Sequence, residues 1–249
     1  MTKSFFTKET DLCRAFIEAV PVEWIAYPET GGFDILLVRK EDGFQIGVEA
    51  KLKLNAKVIS QAAEDAGHWY ATRPGPDCRA VLIPDSVGSE LAGLCRFIGL
   101  EVIRMRPAEE QSVYKRYRLS SFYPSLPTSR NYSGRDWYEF APSQRIAVPE
   151  FVPDVIAGSS SPIQLTPWKV KAIKIAVTLE KRGFVTRDDF KHFQISMSRW
   201  TVPGAGWLIK NGSGGWIQGP KYPDFRLQHP INYGQIEEKF EVWKRKEQA

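Results

Sequence analysis

Two apolar runs, residues 33–39 and 44–52, flank the tetrapeptide Lys40-Glu41-Asp42-Gly43. An Asp-Gly step between such runs is a strong hairpin signal, because both residues tolerate the positive φ that tight β-turns demand. Successive side chains of a strand take opposite faces, so Glu49 and Lys51 point one way while Val48, Ala50 and Leu52 point the other. A two-residue loop at Glu41-Asp42 or Asp42-Gly43 makes opposed residue numbers sum to 83 or to 85. Asp34 then lies across from Glu49 or from Lys51, and all three share one face in either register. A three-residue loop would break this parity. Phe33, Ile35, Val48 and Ala50 are expected on the opposite face, against a helix.

The elements around the hairpin alternate. Thr7 is placed as an N-cap, with Leu12, Phe16, Ile17 and Val20 following at helical spacing and Glu9 in the first turn, where the helix dipole favours a carboxylate. Residues 23–27 read as a strand and 28–32 as a turn. A helix is predicted over residues 56–71, a strand over 79–84, a helix over 89–98 ending at Gly99, and a strand over 101–105. That order predicts an α/β domain, a mixed sheet flanked by helices, over residues 1–106. Residues 107–162 hold seven of the 17 prolines and nine aromatic residues with little periodicity, and read as an irregular connecting arm.

A third segment, 163–249, carries 15 Lys and Arg against 8 Asp and Glu, while the rest of the chain carries 19 against 21. A basic module beside a slightly acidic one points to a polyanion partner met mainly by the C-terminal part. Thr166 with Pro167 opens a predicted helix that Gly183 closes. Thr186 with Asp189 forms a capping-box pattern for a second helix, and Ser196 is placed at the start of a third around residues 197–201. Two short strands, 206–210 and 215–218, follow across Asn211-Gly-Ser-Gly. Three helices and a glycine-tipped hairpin are the layout of a winged helix. In it Arg199 would sit on a recognition helix and Lys210 on the wing, and Lys169, Lys171 and Lys174 could meet phosphates. Trp200, Trp207 and Trp216 read as packing residues before base-stacking platforms.

Several classes are excluded by what the sequence lacks. It has no apolar run long enough to cross a membrane, and its first residues turn charged too early for a signal peptide. Cys13, Cys78 and Cys95 are far apart, as expected of buried thiols in a reducing, cytoplasmic setting. No HExxH, Walker or GxSxG pattern occurs.

The chemistry therefore rests on the hairpin. Two carboxylates as close as Asp34 and Glu49 repel each other, and a hard divalent cation such as Mg²⁺ or Mn²⁺ relieves that conflict. Gly32-Phe-Asp34, fourteen residues, then Glu49-Ala-Lys51, set among these elements, resembles the PD-(D/E)xK (restriction-endonuclease-like) nuclease superfamily over about residues 7–106, with Phe33 where the motif has proline. The resemblance implies a metal held by Asp34, Glu49 and the carbonyl of Ala50, with Lys51 acting at the water or the phosphate. Relatives such as archaeal Holliday-junction resolvases add a first-helix glutamate, for which Glu9 fits by spacing and Glu18 is the fallback. RecB-type nucleases carry a glutamine on the helix after the lysine, here Gln61, with Asp65 and His68 on its helical face. The expected function is metal-dependent hydrolysis of phosphodiester bonds in DNA. The rival is a catalytically silent nuclease-fold protein that binds DNA or another protein, and a homodimer is among the assemblies the sequence allows.

Overall fold

The computed structural model describes residues 6–64, 74–87, 90–106, 120–128, 137–159, 163–212 and 214–246. The chain divides into two compact units, Met1–Val148 with Ile156–Pro162, and Pro149–Val155 with Ile163–Ala249. Of the described residues in the proline- and aromatic-rich stretch, 120–128, 137–148 and 156–159 fall in the first unit and 149–155 in the second. No helix of the described residues is long and apolar enough to cross a membrane.

The first unit is a mixed α/β structure. Helix α1 (Glu9–Ala19) precedes strands β1 (Trp24–Thr30), β2 (Phe33–Arg39) and β3 (Gln45–Ala50), followed by α2 (Ala56–Ala62), β4 (Cys78–Pro84), α3 (Ala92–Phe97) and β5 (Leu100–Met105). A two-residue strand, β6 (Phe122–Tyr123), closes a six-stranded sheet of order β1-β2-β3-β4-β5-β6. β1, β2 and β3 are antiparallel neighbours, β3, β4 and β5 run parallel through the α2 and α3 crossovers, and β6 is antiparallel to β5.

The β2–β3 pairs Ile35↔Val48, Leu36↔Gly47 and Val38↔Gln45 all sum to 83. The loop is longer than the two residues predicted: Arg39 N–H donates to Phe44 O, so residues 40–43 form the connection. Four residues keep the same parity as two. The Asp42 carboxylate secures this turn, accepting from Arg39 Nε at 2.9 Å and from Phe44 N–H at 3.1 Å. The Arg39 guanidinium holds that carboxyl down to about 2, and itself lies over the Phe44 ring at 4.6 Å.

Alternation sorts the sheet into two faces. Ile35, Leu37, Ile46, Val48 and Ala50 pack with Leu12, Cys13 and Phe16 of α1. On the opposite face Val81, Ile83 and Val102 pack with Val58, Ile59 and Ala62 of α2 and Cys95 of α3. Phe33 departs from the predicted parity, since its ring covers Gly47 on the face of Leu36 and Val38. Gly47 has no side chain, and the space it leaves draws the ring across at the end of the strand. All three cysteines are buried free thiols.

Other boundaries shift for local reasons. α1 starts at Glu9 with Lys8 as its uncapped N-cap, so Thr7 lies one residue too early to serve. β1 runs through Pro28 to Thr30, which an edge strand accommodates because one side of its backbone has no strand partner. The turn falls on Gly31 and Gly32, whose φ values of 68° and 87° suit a two-residue hairpin. α2 is described to Ala62, and its predicted continuation beyond residue 64 lies outside the described residues. In α3 only Cys95 is buried; Leu94 and Ile98 lie at the surface, 49% and 37% exposed.

The second unit is built around α4 (Pro167–Arg182), capped as predicted by the Thr166 hydroxyl and closed by left-handed Gly183. Helix α5 (Arg187–His192) follows, where Asp189 Oδ2 accepts from the Thr186 N–H at 2.7 Å and hydroxyl at 2.9 Å. The predicted third helix does not form. Residues 197–201 make one turn, closed by Trp200 and Thr201 N–H on Met197 O, because Trp200 is drawn wholly into the core and Val202 and Pro203 stop propagation. Strands β7 (Leu208–Lys210) and β8 (Trp216–Gln218) form a hairpin, and Val185 bridges to Trp216. Helices α6 (Phe225–Gln228), α7 (Pro230–Glu238) and α8 (Phe240–Trp243) complete the unit.

The Gly47 contact gives a direct test of this packing. A Cβ at Gly47 would lie 2.6 Å from Phe33 ring carbons. Gly47→Ala is expected to cost about 1–3 kcal/mol in chemical denaturation, as for other overpacked cores, and adding Phe33→Leu should recover part of that loss. Independent, additive effects of the two substitutions would contradict the contact.

Candidate functional site

β2 and β3 pair regularly up to Ile35↔Val48, and beyond that point the Asp34 carboxylate takes over from the backbone. Its Oδ2 accepts the Ala50 N–H at 2.8 Å. The register of 83 sets Asp34 level with Glu49 along the strands, and β3 ends at Ala50 with Lys51 directly after it. Lys51 N–H continues the parallel ladder onto Leu82 O, which fixes where its side chain starts. Its ammonium lies 3.0 Å from Glu9 Oε2 and 3.6 Å from Asp34 Oδ2. Glu9, at the start of α1, is thus brought to the hairpin, whereas Glu18 is exposed elsewhere on that helix.

Glu49 stands apart from these partners. Its side chain is buried, with 7% relative exposure, yet its carboxylate makes no hydrogen bond or ion pair among the described residues. Burial, and then the nearby Asp34 charge, push its pKa up to about 7. The Lys51 charge acts the other way but does not prevail. For Lys51 itself, burial favours the neutral amine, but Asp34 and Glu9 outweigh it and raise its pKa, so it is an ammonium at neutral pH.

A fourth carboxylate, Glu29, belongs to the same neighbourhood and was not anticipated. The β1–β2 pairs sum to 63, which sets Glu29 level with Asp34. Its Oε1 accepts from Gly158 N–H at 2.8 Å and Ser159 N–H at 3.3 Å, tying the late returning segment of this unit to the sheet. Burial first and Asp34 second raise its pKa despite those bonds. The signal available was the acidic residue in Tyr27-Pro-Glu-Thr, hidden because the proline marks a turn more often than a strand.

Among the described residues no three His, Cys, Asp or Glu side chains stand close enough together to hold a metal ion as they are. The donor chemistry nonetheless fits a hard divalent cation. Asp34 and Glu49 offer oxygen ligands from adjacent strands, the Ala50 carbonyl lies in sequence between Glu49 and Lys51, and Glu9 reaches the cluster from α1. Only Lys51 now supplies positive charge among these groups. Gln61 is exposed on α2, and Asp65 and His68 lie outside the described residues.

The family models, the curated proteins and the solved structures contain no match to this chain. The site is therefore read from its own geometry.

The basic residues named in the second unit divide into two sets. Lys169 Nζ donates to Gln228 Oε1 at 2.8 Å, and burial lowers its pKa. Lys174 pairs with Glu150 at 3.3 Å and lies over the Trp243 ring, while Lys171 is half-buried. These lysines of α4 serve their own unit in large part. Arg199 and Lys210 are exposed, as are Arg187 and Lys191, and none of the four makes an ion pair among the described residues.

Glu49 supplies a pH test. A carboxyl whose pKa rises from 4.5 to about 7 on folding keeps its proton in the native state after the unfolded chain has released it. Its cost to stability is absent below about pH 4.5, grows as pH rises toward 7, and is complete above 7. Glu49→Gln should therefore leave the metal-free protein unchanged at pH 4 and stabilise it at pH 8 by about 1–3 kcal/mol, on the scale of 1.4 kcal/mol per pKa unit. Equal stability of the two proteins at pH 8 would contradict a desolvated, unpaired Glu49.

Proposed function

We propose that the first unit is a PD-(D/E)xK-like, metal-dependent nuclease that hydrolyses phosphodiester bonds, with DNA as substrate. The observation that carries this reading is Glu49: burial and the neighbouring Asp34 charge push this carboxyl up to about 7, and strongly shifted groups of this kind gather at functional sites. A divalent cation would acidify water and offset charge on the phosphate. Asp34, Glu49, the Ala50 carbonyl and Glu9 would hold it. The Ala50 N–H fixes the Asp34 carboxylate, so one ligand is oriented before any ion arrives. Lys51, as an ammonium within reach of Asp34, would hold the phosphate and stabilise charge that develops there rather than accept a proton.

The second unit would hold the nucleic acid. Its Val185–Trp216 bridge, which joins the segment after α4 to the hairpin, supports a winged-helix-like reading, and the single turn at residues 197–201 departs from it.

Plasmid DNA incubated with Mg²⁺ or Mn²⁺ should be cut by the wild type and left intact in EDTA. Asp34→Asn keeps an acceptor for Ala50 N–H while removing a charged ligand, and with Glu49→Gln it is expected to abolish cleavage without unfolding. Lys51→Ala should lower the rate about 10²-fold or more, the usual effect of losing a charge-stabilising donor, and change metal affinity little. Cleavage at wild-type rate by Asp34→Asn would remove the site assignment.

A further inference from the structure

We propose that the second unit binds single-stranded nucleic acid in the cleft beside the β7–β8 hairpin. The proposal rests on the nucleic-acid reading above and adds the form of the substrate. The cleft is about 470 Å³ and is lined by Val202, Ile209, Lys210, Trp216, Pro220 and Lys221 among others, with no Asp or Glu in its wall. A second cleft of this unit, beside α4, contains Glu180 and Asp224 and has the opposite character.

The groups around the hairpin cleft match the two parts of a nucleotide. Ile209 and Val202 are apolar side chains that stay 48% and 46% exposed. Trp216 adds an aromatic surface, half-buried against the core. Cations surround it: Lys210 is its strand partner, and the Arg187 guanidinium lies 5.9 Å from the ring centre. Lys221 Nζ donates to Gly204 O at 3.0 Å, which places the ammonium and leaves two of its three protons for a phosphate. A base at Trp216, with its phosphate at Lys210 and Lys221, follows the general mode of single-strand binding.

Charge bookkeeping points to the same place. Internal pairs, including Lys181 with Glu237 at 2.7 Å and Arg245 with Asp189 at 3.2 Å, use up carboxylates of residues 163–249, so the positive surplus falls on cations such as Lys210 and Lys221, which make no ion pair among the described residues. A duplex is the poorer fit. Reading its major groove takes a helix that stands off the body, and the segment predicted for that role is one turn anchored by a fully buried Trp200.

Fluorescence anisotropy in EDTA, with a labelled oligothymidylate and its duplex with oligoadenylate, tests the cleft apart from any metal chemistry. The full-length protein should bind the strand more tightly than the duplex. Trp216→Ala should weaken strand binding about tenfold, within the range for loss of one stacked base. Lys210→Glu with Lys221→Glu should flatten the log–log salt dependence by about 0.7 per lost contact, whereas Lys174→Ala should leave it unchanged. If Trp216→Ala does not fold, Trp216→Phe should retain binding and the surface variant Ile209→Asp should lose it. Duplex bound as tightly as strand, or cleft variants at wild-type affinity, would overturn the proposal. Either result leaves the nuclease reading to be judged by cleavage alone.

Discussion

The bond from Ala50 N–H to the Asp34 carboxylate is where the sheet ceases to be a sheet and becomes a site. Up to Ile35↔Val48 the backbone satisfies itself across β2 and β3; one step further, a side chain takes over. An unsatisfied N–H at that depth would cost stability, so Asp34 has a structural task of its own. The bond also fixes the neighbours. It ties Asp34 to the end of β3 and leaves Lys51 just beyond, where its ammonium meets both Asp34 and Glu9. The fold holds these groups near one another, and burial first, then the Asp34 charge, raises the pKa of Glu49.

The arrangement around that bond is over-determined. Asp42 and Arg39 secure the β2–β3 loop and so the parity of the hairpin. Glu29 fastens the Gly158-Ser159 segment against β1, and a Cβ at Gly158 would come within 3.0 Å of Cys13 Sγ on α1, so close approach there depends on glycine. Helix, strand and returning segment all meet at the acidic end of the hairpin. A cluster of like charges can persist there because several independent contacts hold its members in place.

Much of this was legible in the sequence where local rules decide. Alternation with an Asp-Gly loop put the β2–β3 register at 83 or 85, and 83 is the one that forms, since a four-residue loop keeps the sum of a two-residue one. Thr166-Pro167, Gly183 and the Thr186–Asp189 pair marked helix ends, because a cap is chemistry within four residues. What stayed hidden depended on distant partners. Phe33 crosses to the other face because Gly47 leaves room for its ring, and Pro28 stays in β1 because β1 is an edge. Trp200 turns residues 197–201 away from helix by entering the core. The basic character of the last segment was countable, but which cations are spent on Glu150, Glu237 or Asp189 is a tertiary fact.

If Asp34 and Glu49 form one cation site, binding of the ion must displace the proton that Glu49 retains near neutral pH. Calorimetric titration of Mn²⁺ into the protein at pH 6.5, repeated in two buffers of different ionisation enthalpy, measures binding and proton release together. The wild type should bind with release of a fraction of a proton, because Glu49 is still partly protonated at that pH. The release should be lost in Glu49→Gln, and binding should be severely weakened in that variant and in Asp34→Asn. Wild-type protein that binds no Mn²⁺ at millimolar concentration, or variants that bind it equally well, would contradict the account.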